Sequence, residues 1–167
     1  MSTAPDPPFT VLAVRGGEDL AAAVALFRAY AASLPIDLGY QGFEAEMAGM
    51  PGKYAPPAGE LLLARGRDGA ALGCVALRPF APDGTCEMKR LYVVPEARRL
   101  GVGEALVAAV LAAARRIGYR AMLLDTLPSM TGALALYARH GFTTTEAYYD
   151  TPVAGTIFLE KDLAAGA

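Results

Sequence analysis

The chain carries no basic excess: 15 Lys and Arg stand against 17 Asp and Glu, for a formal net charge of −2. A nucleic-acid binder gains affinity by releasing counterions from phosphates, and no surplus of cations is available for that here. There is one histidine, His140, and only two cysteines, Cys74 and Cys86, neither at metal-ligand spacing. Neither a zinc nor a di-iron enzyme is expected on that account, and no metal is expected. Both cysteines lie in apolar, strand-like stretches, which reads as two buried thiols in a reducing, cytoplasmic compartment. The apolar windows are broken by Arg or Gly before a membrane span of about 18 residues is reached. The opening MSTAPDPPF lacks a basic and an apolar region, so no signal peptide is expected. No Gly-Lys-Ser/Thr occurs, which removes the P-loop reading.

What remains is a chain of 167 residues, 54% hydrophobic and 19% charged, long enough for one well-filled core. Residues 1–8 hold three prolines and read as a loose tail; residues 9–163 read as a single domain, without repeats or a linker. A first strand is expected over 9–14. A helix follows to about Ser33, with Leu20, Val24, Phe27 and Tyr30 on one stripe. A second helical segment is expected over 42–50 and a loop over 51–59. Strands at 60–64 and 70–77 flank the Asp68-Gly69 turn signal. A third strand spans 85–94. The helix expected over 102–117 turns Leu106, Val107, Val110, Leu111 and Ala114 inward. A nearly continuous apolar strand at 120–125 should be central. A short helix over 131–140 and two strands within 142–159, turning at 152–155, complete the order. This is one mixed α/β sheet with helices packed on it.

Residues 91–103, LYVVPEARRLGVG, are the most informative stretch. A strand stops at Pro95, two arginines follow, and Gly101 and Gly103 open the long helix. Main chain without side chains, at a helix N-terminus, makes a cradle of N–H donors for an anion such as a pyrophosphate. A dinucleotide fingerprint fits poorly. Leu106 stands where its third glycine belongs, and six residues separate the strand from Gly101. Asp125 would be that reading's ribose ligand.

The pattern Arg98-x-x-Gly101-x-Gly103 resembles the pyrophosphate loop of the GNAT-type N-acetyltransferase superfamily. The block 133–142, ALALYARHGF, is similar to that superfamily's A-x-x-L-Y-x-x-x-G-F signature. The resemblance implies an α/β fold with a mixed, mostly antiparallel sheet of about six or seven strands flanked by about four helices. It implies acetyl-CoA as co-substrate and direct attack on its thioester by a primary amine. Main-chain groups of Leu91, Tyr92 and Val93 would hold the pantetheine arm and polarise the acetyl carbonyl. Amides of Arg98, Arg99, Leu100, Gly101, Val102, Gly103 and Glu104 would wrap the diphosphate, with an Arg98 or Arg99 guanidinium adding charge.

Tyr137 is the implied general acid for the leaving thiolate; on helical spacing alone it reads as a core aromatic. Glu87 is the candidate general base, with a surface Glu87–Lys89 pair as the alternative, and a water chain serves in many relatives. Strict alternation places Cys86, Met88, Tyr92 and Val94 on one face and Glu87, Lys89, Leu91 and Val93 on the other. Arg99 stands where Gly is frequent in the family. Glu104 replaces a basic or hydroxyl residue and should point to solvent. Met130 stands where relatives often have Asn, so no cofactor contact is carried onto it. His140 reads as a helix-end residue. Tyr148, Tyr149 and Asp150 read either as strand aromatics before a turn or as acceptor-pocket lining. The acceptor is an amine on a small molecule or peptide, its pocket expected from residues about 26–50 and 143–156. A homodimer through the C-terminal strands is compatible. A non-catalytic acyl-CoA-binding sensor is the alternative function.

Overall fold

The computed structural model describes residues 4–164. Seven strands form one sheet: β1 (Phe9–Ala13), β2 (Glu60–Gly66), β3 (Ala71–Phe80), β4 (Thr85–Val93), β5 (Ala121–Thr126), β6 (Thr143–Thr144) and β7 (Ile157–Asp162). Their spatial order is β1-β2-β3-β4-β5-β7-β6. All neighbours are antiparallel except β4 and β5. The helices are α1 (Gly17–Ser33), α2 (Phe43–Ala48), α3 (Val102–Ile117) and α4 (Thr131–Arg139). The expected α/β architecture is therefore present. Arg67, in the β2–β3 turn, donates to the carbonyls of Asp6 and Pro7 and ties that part of the leading segment to the domain.

Two cores lie on opposite faces of the sheet. One gathers Val102, Leu106, Val107, Val110 and Leu111 of α3 with Leu62, Val75, Leu77 and Met122 beneath. The other gathers Leu26 and Phe27 of α1 and Phe43 and Met47 of α2 with Leu61, Leu63 and Ala76. Fully burying one Val or Leu contributes about 1.5–3 kcal/mol, so α3 is held mainly by this apolar face. Cys74 and Cys86 are buried free thiols, as the sequence implied.

The feature that makes the site is a parting of the sheet. β4 and β5 pair only from Thr85–Ala121 to Glu87–Leu123. Beyond that, β5 stays with β7 up to Thr126–Ile157, while β4 stays with β3 up to Val93–Gly73. The β3–β4 register slips between Cys74 and Ala76, leaving one extra residue in β4 around Arg90, whose φ is +63°. Bulges of this kind bend a strand and raise its twist.

The same bulge corrects strict alternation. Leu91 and Val93 pack toward the α3 core with Cys86 and Met88, whereas Tyr92 packs toward the α1 core. A second correction concerns the last strands. The segment between Thr144 and Ile157 is irregular rather than strand, and β6 is two residues long. Tyr148 and Tyr149 leave the sheet edge to reach carboxylates on β4 and β5.

Candidate active site

The loop between β4 and α3 turns first through a short helical turn at Pro95–Ala97. Arg99 then takes φ +75° and Gly101 φ +84°. A left-handed conformation costs an L-residue about 1–2 kcal/mol, which is why Gly suits position 101, while Arg99 bears that cost. Side-chain space at Gly101 is empty to 4 Å. At Gly103 an added Cβ would lie 3.3 Å from Leu136 Cδ2, so the missing side chain lets α3 approach α4.

Not every amide of the loop is available. The N–H groups of Arg98 and Leu100 donate to the carbonyls of Pro95 and Ala97, each at 3.3 Å. Leu100 is also 48% exposed and its side chain stands off the cleft. By contrast, Arg99, Gly101, Val102, Gly103 and Glu104 donate to no protein acceptor among the described residues. The first intrahelical bond of α3 begins only at Ala105, whose N–H reaches Gly101 O at 3.0 Å. Unpaired amides at a helix N-terminus favour an anion through both hydrogen bonding and the dipole.

These amides face a cleft of about 570 Å³ between the two arms of the parted sheet. Leu91, Tyr92 and Val93 form one wall, and Met130, Gly132 and Leu136 belong to the opposite one. From Met88 onward the β5-facing edge of β4 has no strand partner. Arg98 is exposed and its Nε donates to Val93 O at 3.3 Å, while Arg99 has no ion pair among the described residues. Glu104 is half exposed and turned toward the end of α4, 3.5 Å from Arg139 and 3.3 Å from His140 Nε2. The His140 approach lacks hydrogen-bond geometry. The single histidine thus sits beside the departing acid rather than at the helix end alone.

Deeper in the parting is a small cavity of about 40 Å³, sharing Tyr30, Leu91 and Met130 with the cleft. Tyr137 lines it. Its ring packs edge-on to Phe142 at 5.8 Å, and its hydroxyl has no partner among the described residues. Burial pushes its pKa up, so the phenol holds its proton. Tyr30, edge-on to Tyr92 at 6.2 Å, is pushed up to about 12, chiefly by burial.

On the far side lies a third cavity of about 240 Å³, sharing Tyr40, Gln41, Lys89 and Arg90 with the small one. Glu87 lines this third cavity and not the one at Tyr137. It is 1% exposed and fully engaged. Arg78 reaches Oε1 at 2.8 and 2.9 Å, and Tyr148 donates to Oε2 at 2.6 Å. The surface Glu87–Lys89 pair is thereby overturned: both residues are buried, and Lys89 faces Asp125 at 3.7 Å instead. Arg90 donates to Glu46 at 3.1 Å and Gln41 at 2.8 Å and covers the Phe43 ring at 5.4 Å. Met130, given no role from sequence, stands at the N-cap position of α4 without a side-chain cap and lines both the cleft and the small cavity.

Lys89, Arg78, Tyr30 and Tyr40 were not legible as site residues, and Asp125 was singled out only as the ribose ligand of a dinucleotide reading. The one usable signal was Glu87-Met88-Lys89-Arg90, charge placed within an otherwise apolar strand. Tyr149 donates to Asp125 and lines the third cavity with Asp150, so this segment is a cavity wall and not a strand.

Residues 32–142 match the Acetyltransferase (GNAT) family. An uncharacterized N-acetyltransferase of Schizosaccharomyces pombe is 40% identical over 93% of this chain and 95% of its own length. An aminoglycoside N(6')-acetyltransferase type 1 of Klebsiella aerogenes is 37% identical over 56% of this chain and 65% of its own. Among solved structures, one described as an acyl-CoA N-acyltransferase from Klebsiella pneumoniae superposes with a TM-score of 0.72 at 28% identity, covering 95% of this chain and 99% of its own. A GNAT-family acetyltransferase from Staphylococcus aureus reaches 0.77 at 16% identity, covering 93% and 99%, a likeness of fold. With its loop, its parted sheet and these relatives, the chain belongs to the GNAT family of acetyltransferases.

Proposed function

We propose that this acetyltransferase moves the acetyl group of acetyl-CoA directly to a primary amine held between β4 and β5. The observation that carries the reading is the row of unpaired amides at Arg99, Gly101, Val102, Gly103 and Glu104 facing a cleft that shares Tyr30, Leu91 and Met130 with the Tyr137 cavity. No side chain fills that cradle at Gly101, so a diphosphate fits against main chain. Leu91, Tyr92 and Val93 then run alongside the pantetheine arm, and their unpaired edge aims main-chain dipoles at the acetyl carbonyl.

The amine nitrogen bonds to the carbonyl carbon, the carbon–sulfur bond breaks, the thiolate takes the Tyr137 proton, and the proton shed by the newly acylated nitrogen returns to the phenolate. Before attack the ammonium must lose a proton. Asp125 lines the Tyr137 cavity and is the carboxylate placed to receive it. Glu87, the base suggested by sequence, has both oxygens occupied and is assigned to holding Arg78 and Tyr148 around the approach. Thiol release from acetyl-CoA across a panel of amines tests the reading. Amine-dependent release supports it; tight CoA binding with no release above hydrolysis favours a sensor.

A further inference from the structure

Resting on the acetyl-transfer reading, we propose that the acceptor is a small zwitterion, an amino acid or close analogue, its carboxylate held by Lys89 and its ammonium by Asp125. Three cations converge on the acceptor side: Arg78, Lys89 and Arg90. Two are saturated. Arg78 holds Glu87 at 2.8 Å, and Arg90 holds Glu46 at 3.1 Å. Lys89 is the exception. Its side chain is 6% exposed, yet its ammonium has one hydrogen bond, to Gln41 Oε1 at 3.3 Å, and its nearest carboxylate, Asp125, stands at 3.7 Å.

An ammonium has three donors, and burying it without a close carboxylate costs free energy. Lys89 lines both the small cavity at Tyr137 and the larger one outside it, so its remaining donors lie where a ligand passes. Gln41 accepts from Lys89 and Arg90 alike, which steadies the ammonium without neutralising it. Asp125 is set in the complementary way: Tyr149 donates to Oδ2, while Oδ1 faces Lys89 beyond hydrogen-bond reach. A ligand carrying both charges on neighbouring carbons satisfies the two at once, ammonium to Asp125 and carboxylate to Lys89. That pose puts the amine in the cavity shared by Leu91 and Tyr137. The cavity of about 240 Å³ outside leaves room for the ligand's side chain.

The test uses matched pairs: each amino acid, its amide and its decarboxylated amine, read by thiol release and by calorimetric binding to the CoA-loaded protein. A charge-assisted hydrogen bond predicts that the best amino acid exceeds its carboxylate-free counterparts by at least about 10-fold in kcat/KM and in affinity. In Lys89→Met that ratio collapses toward one, and Lys89→Arg keeps part of it. CoA affinity of each variant reports whether it is folded. If Lys89→Met does not fold, the wild-type ratio decides alone. Amides or plain amines used as well as the amino acid, or an unchanged ratio in Lys89→Met, overturn the proposal while leaving acetyl transfer intact. Because the calorimetric arm needs no turnover, carboxylate-dependent binding without thiol release would support recognition and count against catalysis alone.

Discussion

Tyr148 donates its hydroxyl to Glu87 at 2.6 Å across 61 residues of sequence, joining the irregular segment before β7 to the centre of β4. The ring is packed edge-on to Phe80 and Phe158, each at 5.1 Å. Burial and the Glu87 charge both raise the Tyr148 pKa, so the phenol remains the donor at any ordinary pH. Tyr148→Phe keeps the packing and strips one bond from a buried carboxylate. The expected loss is about 1.5–3 kcal/mol, measured by urea unfolding. A loss near zero would mean that Arg78 alone satisfies Glu87.

Gly101→Asp places a carboxylate beside the unpaired amides, at a backbone φ of +84° that Asp tolerates better than most residues. The fold should survive with a loss of about 1 kcal/mol. CoA affinity should fall at least about 10-fold, because the new charge opposes the diphosphate and competes for its donors. Calorimetric titration with CoA checks both the affinity and, through the active fraction, the fold.

Tyr137→Phe removes a hydroxyl that no protein group uses while retaining the ring packed on Phe142. Turnover should drop about 100-fold, the lower range for a lost general acid, while CoA affinity stays within about 2-fold. Steady-state kinetics beside a CoA titration separates the two. Equal turnover in the variant would return Tyr137 to packing alone.

Acid should weaken the fold through Glu60. Burial acts to raise its pKa, but Arg15 at 2.7 and 3.0 Å, the Leu61 N–H at 2.9 Å and Arg116 at 3.6 Å outweigh that and hold it below its ordinary 4.5. A depressed carboxyl pKa stabilises above the unfolded value and loses that contribution as pH falls through the folded one. Unfolding free energy should therefore decline below about pH 4.5, and the decline should be shallower in Glu60→Gln. Parallel slopes would remove Glu60 from the account.

Sequence reading succeeded where local rules dominate. Helix α3 has the expected bounds because Gly101, Gly118 and the apolar stripe between them are all local signals. The order of elements followed from the same kind of evidence. The failures share one cause, which is contacts made across the sheet. The bulge at Arg90 depends on where Glu46 and Gln41 of distant elements wait for its guanidinium, and one inserted residue reverses every side chain beyond it. Tyr148 and Tyr149 look like strand aromatics until Glu87 and Asp125 are placed opposite them. Lys89 and Asp125 lie 36 residues apart in numbering but meet only because β4 and β5 are neighbours that part.

The proposed CoA site turns on main-chain donors at the start of α3. The amide NMR spectrum of isotope-labelled protein, followed as CoA is added, reads them one by one. Resonances of Arg99, Gly101, Val102, Gly103 and Glu104 should move far more than those of Arg98 and Leu100, whose N–H groups are tied to Pro95 and Ala97. Saturation by CoA with those five resonances unmoved would contradict it.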